Sequence, residues 1–337
     1  MSRVSILGAG TWGLALSKVL HDNGSEITIW SAVEKEIDEL ESTHAQHNLP
    51  GFVLPDDVHL TKDLNEAVRD QDVLVLAVAS PYTRRTARLL RDIVKDGQII
   101  VNVAKGIEED SLLTLSEVIE EEIPQANVCV LSGPSHAEEV AIGLPTIVVI
   151  GSRKKETAEY LDGLFSNENF RVYTSPDVKA MELGGALKNV IALAAGMSAG
   201  LGYGDNATAA LITRGIVEIC RLGTAMGGNP FTFYGLTGIG DLIVTCASKH
   251  SRNRRAGVLM GQGMKYEEAM KEVNMIVEGV YSAKAALTLS QKYKICMPIV
   301  EEVNEVLFND KPVSQAFRAL MNRESKDEVG TIPWEKE

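Results

Sequence analysis

The sequence predicts an α/β amino-terminal domain, built on a doubly wound and mostly parallel sheet, joined to an all-α carboxyl-terminal domain. Three observations carry this. The chain opens with an apolar run that breaks at closely spaced glycines and resumes as a helical pattern. Short β-type runs then alternate with helical stretches to about residue 175. After Pro176 strand patterns become rare, and long runs rich in Ala, Leu and Ile take over. Alternating strands and helices produce a parallel sheet with crossover helices, whereas stacked apolar helices make a bundle. The division falls at residues 1–178 and 179–337, in line with roughly 150 residues per domain.

The opening run is Val4-Ser5-Ile6-Leu7, followed by Gly8-Ala9-Gly10-Thr11-Trp12-Gly13 and a helical pattern over 14–20. Gly8 permits a sharp turn, Gly10 lets a pyrophosphate approach the backbone, and Gly13 lets the helix pack close to the strand. The free N–H groups and positive dipole end of that helix face the phosphates. Strand, glycine turn and helix in this order are the context of a Rossmann dinucleotide fingerprint. A second strand, 26–30, ends at Ser31 and Ala32, where an acid would select NAD and an arginine NADP. Glu34 reads as the start of a helix over 33–41, so the cofactor is NAD or NADP.

Segment 48–55 is too rich in turn residues for the sheet and reads as a surface excursion. Runs 72–78, 99–103, 127–131, 145–150 and 170–173 are strands of buried type. Arg84, Arg85, Arg88 and Arg91, on the helix after the first of these, read as a solvated face rather than a phosphate patch. Lys105 lies just beyond strand 99–103, and Ser132-Gly133-Pro134-Ser135-His136 at the end of 127–131. Both fall on the sheet edge that faces ligands. Ser135 with Glu138 fits a helix-capping box. A Ser-His hydrolase is rejected, because neighbours in sequence rarely face each other and no G-x-S-x-G elbow is present.

In the second half, helices are predicted over 178–200 and 205–226, then over 266–272, 281–291 and 298–308. Lys188 and Asn189 interrupt an otherwise apolar helix, and a buried lysine is paired, water-lined or functional. Burial lowers its proton affinity, which suits it to exchange protons with a substrate hydroxyl or carbonyl. Asp241, in the glycine-rich run 235–242, caps the next helix or holds the Lys188 ammonium. The run Lys249-His250-Ser251-Arg252-Asn253-Arg254-Arg255 suits an anion, since guanidinium forks match phosphate oxygens.

A formal net charge of -13 argues against nucleic-acid or anionic-membrane binding, so an anionic ligand needs a local basic pocket. The four cysteines form no C-x-x-C pair and have no histidine at metal-ligand spacing. They read as free thiols, with no metal site. No run approaches a membrane span and no signal segment leads the chain, which points to the cytoplasm. Oligomeric state is open, a homodimer included. The charged stretch 323–337 reads as a frayed tail.

The chain resembles the NAD(P)-dependent glycerol-3-phosphate dehydrogenases of bacterial type. The resemblance rests on the Gly8 to Gly13 fingerprint, Ala104-Lys105-Gly106, Ser132 to Ala137, Leu187-Lys188-Asn189-Val190, Gly238 to Leu242, Ser251 to Arg254 and Val277-Glu278-Gly279. It implies a cofactor site at Gly8, Gly10, Thr11, Trp12, Gly13, Lys105, Ala137, Arg252, Ile276 and Glu278. It implies that Lys105, Gly133, Ser135, Lys188, Asp241, Ser251, Arg252 and Asn253 bind dihydroxyacetone phosphate or sn-glycerol 3-phosphate, with Lys188, Lys105 and Asp241 as the catalytic set. Two departures stand out. Ser31 and Ala32 replace an arginine common after the Trp30 position, and Val78-Ala79-Ser80 stands where Val-Pro-Ser is frequent. The function implied is hydride transfer with NAD(P)H that supplies glycerol 3-phosphate to glycerophospholipid synthesis. The alternatives are a hydroxyacid or hydroxyacyl-CoA type of two-domain dehydrogenase, or a dinucleotide sensor without chemistry.

Overall fold

The computed structural model describes residues 1–325, 327 and 328. The sheet strands are β1 (Arg3–Leu7), β2 (Glu26–Trp30), β3 (His59–Thr61), β4 (Val73–Leu76), β5 (Ile99–Asn102), β6 (Asn127–Ser132), β7 (Thr146–Gly151) and β8 (Phe170–Ser175). Among the described residues they form one sheet of order β3-β2-β1-β4-β5-β6-β7-β8. β1 to β6 run parallel, and β7 pairs antiparallel to β6 with β8 parallel to β7. The mostly parallel, doubly wound sheet predicted above is therefore present. β3 was not anticipated: three residues are too few for a periodic signal.

Among the described residues seven α-helices accompany the sheet: α1 (Thr11–Asp22), α2 (Glu34–Thr43), α3 (Leu64–Val68), α4 (Thr83–Leu90), α5 (Leu115–Glu122), α6 (Ala137–Ala141) and α7 (Lys155–Phe165). Alternate strand residues point to opposite faces, so Val73 and Val75 of β4 join one core with Leu14, Leu16 and Leu161. Leu74 and Leu76 join the other with Ala87, Leu90 and Ile119. The turn-rich segment 48–55 stays outside the sheet, but it is no mere surface excursion. Leu49, Phe52 and Leu54 are buried in the core beside α1.

The helical half comprises α8 (Val178–Gly200), α9 (Asp205–Ala225), α10 (Pro230–Phe233), α11 (Asp241–Ala247), α12 (Arg252–Gly261), α13 (Tyr266–Val273), α14 (Glu278–Tyr293), α15 (Pro298–Phe308) and α16 (Val313–Met321). Its α8 is the central shaft, buried along nearly its whole length and packed by α9, α11, α12, α14 and α15. The approach of α12 to α8 is set by small residues. A Cβ on Gly196 would lie 2.2 Å from Arg254 O, and one on Gly257 2.2 Å from Leu193 O. Only bare Cα atoms let the two backbones come this close, and the contact brings the start of α12 beside Asn189, midway along α8.

The two halves meet at a carboxylate. Glu182 of α8 accepts from Ser116 N at 2.9 Å and Ser116 Oγ at 2.5 Å, at the start of α5. Burial pushes this carboxyl up to about 7. Of the stretch read as a frayed tail, residues 323–325, 327 and 328 carry no helix, and the rest lies outside the described residues. No single helix among the described residues is long and apolar enough to cross a membrane.

Candidate active site

At the carboxyl ends of β1, β4, β5 and β6 the sheet opens into a cleft of about 260 Å³, closed on its far side by α8, α11, α12 and α14. β1 lies between β2 and β4, so the cleft sits at the topological switch point where doubly wound sheets bind ligands.

The glycine turn after β1 forms its floor. Gly8 has φ +126°, and a Cβ there would lie 2.8 Å from Ala77 C and O. A Cβ on Gly13 would lie 2.3 Å from Gly8 O, so any larger residue would force α1 off the strand. Gly10 is different, with nothing within 4 Å of where its Cβ would be. Its open face looks out beside Thr11 and Trp12, which line the cleft. α1 begins at Gly10 without a side-chain cap and with no acid in its first turn. Its leading N–H groups are thus left for an anion. These features fit a dinucleotide pyrophosphate held by Gly10, Thr11 and Trp12.

Two lysines and one carboxylate form the centre. Lys188 Nζ donates to Asp241 Oδ1 at 2.7 Å and to Thr245 Oγ1 at 2.6 Å. Lys105 Nζ donates to Asp241 Oδ2 at 2.7 Å, to Gly133 O at 2.8 Å and to Ser135 Oγ at 3.4 Å. Of the two roles that the sequence left as alternatives, Asp241 takes the second: it holds Lys188, while Gly240 stands at the N-cap of α11 and no side chain caps that helix. Burial, helped by the nearby Lys105 ammonium and opposed by Asp241, brings Lys188 down to about 8. The two ammonium groups hold the buried Asp241 carboxyl below its ordinary value, although burial alone would raise it.

Ser135 does not cap the following helix. His136 holds the N-cap position without a side-chain bond, and the Ser135 hydroxyl instead donates to Gly133 O at 2.9 Å. The carbonyl and the hydroxyl are thus both turned to Lys105 rather than to the helix end.

The arginine groups separate into two kinds. Arg84 Nη2 binds Glu108 at 2.6 Å and its Nη1 binds Glu121 and Glu122 at 2.7 Å. Arg88 and Arg91 also reach Glu122. Arg84 departs from the solvated face expected, being drawn into an ion-pair cluster with Glu108 and α5, while Arg85, Arg88 and Arg91 remain exposed as expected. Arg252 and Arg255 line the cleft, and neither makes an ion pair among the described residues. Ser251 caps α12 by accepting from Arg254 N at 3.2 Å. Asn253 is buried, donating to Asn189 Oδ1 at 2.9 Å and accepting from Gly279 N at 2.8 Å.

Of the residues expected at the site, Gly10, Thr11, Trp12, Lys105, Ser135, Ala137, Lys188, Ser251, Arg252, Asn253 and Glu278 line this one cleft. Gly8, Gly13 and Gly133 shape its turns, and Asp241 lies beneath the lysines. Ile276 is not among the lining residues, although its neighbour Met275 is. Thr245 was missed, and its position four residues after Asp241, on the same helix face, was the available signal. Asn189 and His136 also line the cleft.

Fold and cleft together define a two-domain dehydrogenase of the dinucleotide-binding class. Residues 3–158 match the NAD-dependent glycerol-3-phosphate dehydrogenase N-terminus, and residues 177–318 match the C-terminus of the same family. The chain belongs to the NAD-dependent glycerol-3-phosphate dehydrogenase family. It is 60% identical over 335 residues to the glycerol-3-phosphate dehydrogenase [NAD(P)+] of Agathobacter rectalis, covering 99% of this chain and 100% of that one. With the Bacillus subtilis enzyme of the same name the identity is 51%, over 98% of this chain and 99% of the relative. Among solved structures, the Coxiella burnetii glycerol-3-phosphate dehydrogenase superposes with a TM-score of 0.92 at 35% identity, covering 96% of this chain and 99% of that one. A D-mandelate dehydrogenase, at 15% identity and TM-score 0.63, shares the fold alone.

Proposed function

We propose that this cleft interconverts dihydroxyacetone phosphate and sn-glycerol 3-phosphate, with Lys188 moving the proton. When bound, the dinucleotide supplies or accepts the hydride at C2 of the triose. Lys188, as an ammonium, donates a proton to the C2 oxygen as that atom gains negative charge, and as an amine takes it back in the reverse direction. Asp241 aims both lysines at one point, and Lys105 positions the carbonyl between the halves. Arg252 holds the phosphate end, with Ser251 and Asn253 fixing the first turn of its helix. Gly133 and Ser135 set Lys105; Ala137 and Glu278 border the cofactor.

The observation that carries this reading is the pair of uncompensated guanidiniums, Arg252 and Arg255, on the same cleft as the Lys188–Asp241 pair. A phosphate dianion has use for both guanidiniums, whereas the single carboxylate of a hydroxyacid is met by one. In this reading residues 1–178 bind the cofactor and residues 179–337 close on the substrate. The free cysteines fit a cytoplasmic enzyme that feeds glycerophospholipid synthesis.

Nicotinamide absorbance, followed with dihydroxyacetone phosphate, a 2-oxo acid and a 3-oxoacyl thioester as separate acceptors, tests it. Oxidation confined to the triose phosphate supports the reading. Turnover of another acceptor in preference, or dinucleotide binding with no turnover at all, overturns it.

A further inference from the structure

NAD(H) and NADP(H) differ only at the adenosine ribose, where a 2′-hydroxyl is replaced by a 2′-phosphate. In a doubly wound sheet that ribose lies at the carboxyl end of β2. Here Gly8 N donates to Trp30 O at 2.8 Å, so Ser31, the next residue, directly flanks the glycine turn.

Ser31 is buried, and its one hydroxyl proton is committed. The hydroxyl accepts from Val33 N at 3.1 Å and donates to Glu36 Oε2 at 2.5 Å. This bond ties a half-buried carboxylate from the first turn of α2 back onto the strand end. Glu34, in the same turn, adds a second negative charge. Cations offset them only in part, the Lys62 ammonium lying near enough to Glu34 to feel its charge. No arginine occurs between Arg3 and Arg69. Lys62, which follows β3 and whose carbonyl accepts from Trp30 Nε1 at 3.2 Å, has its ammonium bonded to Asp38. Lys35 is exposed on α2.

We propose that Glu36, latched by Ser31, makes this enzyme selective for NAD(H) over NADP(H). An ionised carboxylate accepts a strong hydrogen bond from a ribose hydroxyl. A 2′-phosphate would bring its own negative charge against Glu36 and Glu34, and a like-charge clash is an effective way to exclude a close analogue. The strand-end acid of other dinucleotide folds is thus replaced by one delivered from the following helix, five residues after Ser31. Because Glu36 is only half-buried, salt screens the repulsion.

Tryptophan fluorescence, titrated with NADH and with NADPH at low and high salt, tests this without reference to turnover, Trp12 lying in the cleft. NADH should bind at least about tenfold more tightly at low salt, with the ratio shrinking as salt is added. Glu36→Gln should tighten NADPH and cut that ratio at least about threefold, and Ser31→Ala, which frees Glu36, should move it the same way. Equal affinities in the unaltered protein, tighter NADPH binding, or a preference that both substitutions leave unchanged would overturn the proposal.

Discussion

Lys188 Nζ stands 2.7 Å from Asp241 Oδ1, deep in the helical half, and the other oxygen of the same carboxylate takes Lys105 from the edge of the sheet. One buried carboxylate therefore joins the two halves at the proposed reacting centre. It also decides how much proton affinity burial leaves to Lys188.

The first consequence is a pH dependence. With Lys188 brought down to about 8, the ammonium needed to reduce a carbonyl is lost above that pH. kcat/KM for dihydroxyacetone phosphate should fall above about pH 8, and kcat/KM for glycerol 3-phosphate should fall below it. Asp241→Asn removes the charge that favours the ammonium, so both limbs should move to lower pH. Limbs that stay in place would show that Asp241 does not govern the proton.

Arginines of the two groups should behave oppositely. Arg252→Ala should raise KM for dihydroxyacetone phosphate at least about tenfold while leaving its effect on unphosphorylated dihydroxyacetone small. Arg84→Ala should leave KM alone and lower stability by about 1–3 kcal/mol, because Glu108 and the buried Glu122 lose a partner. Steady-state kinetics and urea unfolding of both variants check this, and an exchange of the two phenotypes would refute the site.

The glycine contact between α8 and α12 should be intolerant. Gly196→Ala places a methyl 2.2 Å from Arg254 O, and overpacking of this kind costs about 1–3 kcal/mol or more. Because α12 carries Arg252, KM for the triose phosphate should rise together with the loss of stability. Thermal melts and kinetics that showed neither would mean that the helices yield easily there.

A second pH effect concerns folding. Glu218 accepts from Ile299 N at 2.9 Å and Val300 N at 3.4 Å at the start of α15, yet burial outweighs those bonds and pushes it up to about 7. The folded state keeps a proton that the unfolded chain releases near 4.5. Its contribution is fully present below that value and is lost as pH rises towards about 7, at up to about 1.4 kcal/mol per pH unit. Urea unfolding of Glu218→Gln at about pH 5 and about pH 7 should give a flatter slope than the unaltered chain.

Much of this was legible in the residues. Strand runs, the glycine turn and the helix 178–200 follow from local periodicity, and Lys188 stood out because a charge in an apolar helix demands a partner. Pairings between distant residues were not legible. Nothing in the local pattern says that Glu108 and Glu122 consume Arg84, that Ser31 draws Glu36 back to the strand end, or that Ser135 serves Lys105 rather than its own helix. β3 escaped because three residues carry no period, and the inward set of Leu49, Phe52 and Leu54 because turn residues hid it.

The most direct test is the turnover of Lys188→Ala with dihydroxyacetone phosphate, read beside its dinucleotide affinity and circular dichroism. Positioned proton transfer contributes about 10² to 10⁴ in rate, so kcat should drop at least about a hundredfold with fold and dinucleotide binding preserved. A folded variant that binds dinucleotide and still turns over within about tenfold of the unaltered enzyme would contradict the role given to Lys188.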